Sequence, residues 1–162
     1  MNRIRPTLLF AVAALIAAAP FLIAAPDKSS VSWTDDFQAA LAESKKTGKP
    51  ILIDFTGSDW CGYCVKQHAE VFSKADWQKW AAENVILFTA DYPNKPQKAA
   101  VKKQNAELKE KYSPRGFPTI LFIDAKGTEL GRWAGYGPGT GPQGWIKKAT
   151  PIVAKAKSDV KQ

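Results

Sequence analysis

The chain has 162 residues, 45% of them hydrophobic and 23% charged, with a formal net charge of +8. That balance suits one globular domain with a short added segment and is too apolar for a disordered chain. Two cysteines cannot supply a disulfide framework, so a packed core must carry the fold, and the positive excess lies in scattered lysines without interleaved stacking aromatics, which excludes nucleic acid as an expected partner.

Residues 1–25 carry Arg3 and Arg5, then an apolar run, then small residues. This is the layout of a secretory leader. Thr7 to Ala25 holds no charge and as a helix would span roughly 28 Å, close to the hydrocarbon thickness of a bilayer. Two readings stand: a cleaved signal peptide, favoured by the alanine content and by Pro20, or a retained membrane anchor through residues 7–25. Either places the rest of the chain outside the inner membrane of a bacterium, in the periplasm or otherwise exported. Residues 26–30 read as a linker, 31–158 as the domain and 159–162 as a tail.

Within the domain, Thr34 is the expected cap of a first helix, with Asp35 and Asp36 at its positive end. Trp33, Phe37, Ala40 and Leu41 share a helical face, and Gly48 and Pro50 stop the helix. "ILIDF" at 51–55 is a short run, apolar on both faces but for Asp54, and reads as a buried strand. A helix carrying the cysteines should run to about Phe72. A second helical stretch sets Trp77, Trp80 and Ala81 on one side, and "VILFTA" at 85–90 is another buried strand. After a proline-containing loop, Ala99 to Tyr112 reads as a helix with Val101, Leu108 and Tyr112 as its stripe. "TILFID" at 119–124 and "TELGRWAGY" form a hairpin. "GPGTGPQG" is a loop. The last helix begins near Trp145, and Pro151 should kink it or open a new turn capped by Thr150. Strands alternating with helices, closed by a hairpin, predict an α/β three-layer sandwich with a central mixed sheet.

Both cysteines and the only histidine fall within "CGYCVKQH", Cys61 to His68. A zinc site would need a fourth ligand beyond Cys61, Cys64 and His68, and the chain has no other Cys or His to offer. Haem attachment would need histidine where Val65 stands. A structural staple closing so small a loop would stabilise little. Thiol–disulfide exchange fits better. Cys61 lies where a buried strand hands over to a helix, whose free N–H groups favour a thiolate. Cys64, one turn inward, is placed to resolve a mixed disulfide. His68 reads as a helix-surface residue, with a tuning role near Cys64 as the alternative.

"ILIDFTGSDWCGYC", with Trp60-Cys61-Gly62-Tyr63-Cys64, resembles the active-site stretch of the thioredoxin superfamily, and "SPRGFPTILFID" resembles its Gly-X-Pro-Thr loop. "EVFS" and "GRWAGY" resemble exported thioredoxin-like domains, including the C-terminal domain of DsbD-type membrane electron transporters. The resemblance implies a thioredoxin-like fold over residues 31–158 and a cis bond before Pro118, opposite the dithiol. It implies that the Phe117 backbone pairs with an extended substrate and that Trp60, Gly62 and Tyr63 border the substrate groove. It also implies that Asp54 accepts a proton from the inner cysteine, although one more residue than usual separates Asp54 from Cys61. Asp59 is expected to be exposed and to disfavour the Cys61 thiolate slightly.

Together these readings predict an exported thiol–disulfide oxidoreductase, a reductase or isomerase acting on protein disulfides. Cys61, Cys64 and Asp54 would be catalytic, with no metal or bound cofactor. A membrane electron donor of DsbD type would restore the dithiol. The alternative is a non-catalytic module that captures thiols or metal in the cell envelope.

Overall fold

The computed structural model describes residues 31–159, with side chains to Ala156. The expected leader, the linker and residues 160–162 of the tail lie outside the described residues.

Five strands form one sheet: β1 (Trp33–Thr34), β2 (Ile51–Thr56), β3 (Ile86–Asp91), β4 (Thr119–Ile123) and β5 (Glu129–Ala134), in the order β1-β3-β2-β4-β5. β1 and β2 run parallel to β3, whereas β4 is antiparallel to both β2 and β5. The sheet is therefore mixed. Among the described residues, five helices accompany it: α1 (Phe37–Thr47), α2 (Gly62–Gln67), α3 (Ala75–Asn84), α4 (Ala99–Tyr112) and α5 (Gly141–Asp159). α2 continues directly into a wide π turn over His68–Phe72.

Strand alternation divides the core in two. Phe37, Ile51, Ile53, Phe55, Phe88, Leu108, Leu121 and Ile123 pack on the α1/α4 side. Leu52, Val71, Phe72, Trp77, Ile120, Phe122, Trp133 and Trp145 pack on the other, beneath α3, α5 and the π turn. Asp54 and Thr56 follow Leu52 at the period of two, so they face the side that carries the cysteine helix.

Three expectations need correction. Thr34 does not cap α1; Asp36 does, its Oδ1 accepting from the Ala39 N–H at 3.0 Å. Trp33 leaves the helical face because its ring packs on Phe72, 5.0 Å away, across the sheet from α1, and this draws Trp33–Thr34 into pairing beside Leu87 and Phe88. The helix predicted from Trp145 starts at Gly141 and runs through Pro151. No new turn opens there: the Thr150 hydroxyl donates to the Ile146 carbonyl at 2.7 Å instead of capping.

Candidate active site

β2 ends at Thr56, and Gly57 to Trp60 turn the chain into α2. The Gly57 carbonyl accepts from both Trp60 and Cys61 N–H groups. Cys61 is the N-cap of α2 in extended conformation, and its Sγ accepts from the Cys64 N–H at 3.2 Å. A sulfur placed this way receives a donor that the helix start would otherwise leave unpaired. Cys61 and Cys64 are bonded to each other, and both are nearly buried, at 7% and 5% exposure.

Around the sulfurs the surface is apolar and open. Trp60 and Tyr63 are 47% and 58% exposed. The Trp60 indole donates to the Tyr92 carbonyl at 2.8 Å and meets Phe117 edge-on at 5.5 Å. Tyr92 in turn lies 5.3 Å from Phe117. Phe117 is half-buried and precedes a cis peptide bond to the buried Pro118. The Pro118 carbonyl accepts from the Gly135 N–H at 2.8 Å, which ties this loop to the end of β5. The expected groove residues Trp60, Gly62, Tyr63, Phe117 and Pro118 thus belong to the end of the molecule where β2 stops and β4 starts.

Behind the dithiol lies a cavity of about 530 Å³ lined by Asp54, Cys64, His68, Thr56, Ser58 and Thr89, among others. Asp54 is 7% exposed, and its Oδ1 has no hydrogen-bond partner. Burial pushes its pKa up to about 7, and the nearby Asp91 carboxylate adds to the rise. The carboxyl therefore titrates near neutrality, beside the inner sulfur's own cavity. The additional residue between Asp54 and Cys61 is absorbed in the turn, where Ser58 is fastened by Asp91: its N–H and its hydroxyl donate to the two carboxylate oxygens at 2.9 and 2.6 Å. Asp59 is exposed and accepts from the Asn94 and Lys95 N–H groups, which hold its carboxyl below the usual range.

Asp91 escaped the sequence reading. Only the pairing of Thr56 with Asp91 across β2 and β3 brings it to the turn before the cysteines. Glu70 stands in the "EVFS" stretch, but the sequence reading gave it no role. This carboxylate accepts from the Tyr136 hydroxyl and lies 3.4 Å from the Gly139 N–H, fastening the loop after β5 to the cysteine-bearing helical run. The Tyr136 bond, foremost, keeps the Glu70 carboxyl below its ordinary pKa. Among the described residues, no group of three His, Cys, Asp or Glu side chains is placed to hold a metal ion. No described helix is long and apolar enough to cross a membrane.

A thioredoxin-like domain family matches residues 37–150. The chain belongs to the thioredoxin-like family. The disulfide bond reductase DsbH of Chlamydia pneumoniae is 34% identical over 134 residues, which cover 82% of this chain and 75% of that protein. A solved DsbH oxidoreductase structure superposes with a TM-score of 0.72 at 30% identity, covering 92% of this chain and 95% of the other. The thiol:disulfide interchange protein DsbD of Yersinia enterocolitica (serotype O:8 / biotype 1B) is 34% identical over 76% of this chain, which spans only 22% of DsbD. With its Cys61–Cys64 pair, this thioredoxin-like protein is a thiol–disulfide oxidoreductase.

Proposed function

We propose that the chain is an exported reductase of protein disulfides that cycles between the Cys61–Cys64 disulfide and the dithiol. The supporting observation is the placement of Cys61, at the head of α2 with its sulfur accepting a backbone N–H, beside the exposed Trp60 and Tyr63 and the half-buried Phe117. In the dithiol form the Cys61 thiolate attacks one sulfur of a substrate disulfide. That S–S bond breaks, one substrate thiolate leaves, and a mixed disulfide forms. Cys64 then gives its proton to Asp54 and attacks Cys61 Sγ. The mixed disulfide breaks, the second substrate thiolate departs, and the protein is left oxidised by two electrons. An extended substrate would pair with the Phe117 backbone beside cis-Pro118.

The reductive direction rests on the name of the DsbH relative, and export rests on the leader-like residues 1–25. The resemblance to DsbD supports a membrane dithiol donor of that type as the source of electrons. Insulin reduction with wild type, Cys61→Ser and Cys64→Ser tests the reading. Both variants should lose turnover, and only Cys64→Ser should accumulate a covalent adduct released by added thiol. Turnover retained in Cys64→Ser, or no adduct on it, overturns the mechanism.

A further inference from the structure

We propose that His68 is the outer station of a proton path, passing the proton of the resolving step from Asp54 to solvent through the cavity behind the dithiol. The inference rests on the reading above, in which Asp54 takes the Cys64 proton. Asp54 is nearly buried and lacks a partner at Oδ1, so a proton it accepts needs a way out. The cavity supplies the room: about 530 Å³ is far more than the roughly 30 Å³ of one water. Asp54, Thr56, Cys64, His68 and Thr89 put polar groups on its wall, among the apolar Trp33, Val65 and Ala69, for a water chain to follow. The titratable groups on that wall are Asp54 from β2, Cys64 from α2 and His68 from the π turn, with Asp91 at the end of β3 acting on Asp54. Lys66 and Glu70 flank His68 on the same helical run.

Local bonding engages one ring nitrogen and leaves the other open. The Ser73 hydroxyl donates its single proton to the His68 carbonyl at 2.8 Å. The same oxygen lies 3.3 Å from His68 Nδ1, which leaves Nε2 as the ring nitrogen open to water. The ring is further fixed edge-on against Phe72 at 6.3 Å. His68 is exposed, one helical turn beyond Cys64, and its own N–H donates to the Cys64 carbonyl. The proton balance closes: Cys64 loses it, Asp54 holds it, His68 Nε2 receives it through water and releases it to solvent, while the electrons move only among sulfurs.

The test is the single-turnover rate of mixed-disulfide resolution, followed on a fluorogenic disulfide peptide from about pH 5.5 to about 8.5. It uses the reduced wild type, His68→Gln, Asp54→Asn and the double variant. His68→Gln should fold and melt like wild type and resolve about tenfold more slowly, while keeping the acid limb that protonation of Asp54 sets. Free imidazole should restore its rate and leave Asp54→Asn unchanged. The double variant should be no slower than Asp54→Asn, because the two groups act in series. A wild-type rate in His68→Gln, or a slow rate that imidazole does not lift, overturns the role of His68 alone. Failure of the wild type to resolve any mixed disulfide overturns the underlying reading with it.

Discussion

At the scale of single residues, Asp54 ties stability to pH. Its ordinary pKa of 3.8 applies to the unfolded chain, whereas in the fold it lies at about 7. Below the lower value the carboxyl is neutral in both states and nothing is lost. Above the upper value the folded protein holds a desolvated charge that the unfolded chain would hydrate. Stability should therefore fall as pH rises between the two, by on the order of 4 kcal/mol. Urea unfolding of oxidised wild type and Asp54→Asn at pH 4 and pH 8 measures this: the stability of wild type relative to the variant should fall between the two conditions. A difference between wild type and variant that stays the same at both pH values would mean that the carboxyl is not ionised at a cost. The position of the bonded cysteine pair, a buried acid and a cis proline were legible at this scale. Spacing located Cys61 and Cys64, an acid within an apolar run marked Asp54, and the motif order marked Pro118. Asp91 was not legible, because its influence depends on which strand lies next to β2, and no local pattern records that.

At the scale of elements, the turn between β2 and α2 depends on one missing side chain. A Cβ added at Gly57 would fall within the Trp60 indole. The glycine thus lets the ring lie flat on the backbone, donate to the Tyr92 carbonyl and face Phe117. Gly57→Ala should push the ring outward and destabilise the protein by about 1–3 kcal/mol. Its Trp60 indole proton, followed by NMR, should exchange with solvent faster than in wild type. Unchanged exchange would show that the ring does not need the space. Element boundaries were the less legible part of the fold. The α4 span was given by its periodicity and matches Ala99–Tyr112. At the start of α1, by contrast, Trp33 fitted the helical period and yet packs across the sheet, since Phe72 offers its ring a better surface than the helix does.

At the scale of the whole molecule, the tryptophans hold the layers together. Trp77 is fully buried and contacts Phe72, Trp80 and Trp145 at ring distances of 5.4, 5.1 and 6.2 Å. Trp77→Ala should lower the unfolding free energy by about 3–5 kcal/mol, a large part of what a domain of this size possesses. Its indole N–H has no partner, so Trp77→Phe should lose less than half as much. Equal losses in chemical denaturation would show that the ring's contacts are not what matters. The three-layer arrangement itself followed from alternating strands and helices, but which aromatic meets which did not, since those contacts join α3 and α5 across a wide sequence gap. The π turn at His68–Phe72 has a consequence for this packing. It slips the phase of the helical run by part of a turn, so that the adjacent Val71 and Phe72 are both buried after a stretch that had turned Val65 and His68 outward. Deleting one residue there would restore ordinary winding and swing every later side chain by about a quarter turn. The outer half of the rod could then keep its hold on the sulfurs, or the inner half its seat among the tryptophans, but not both.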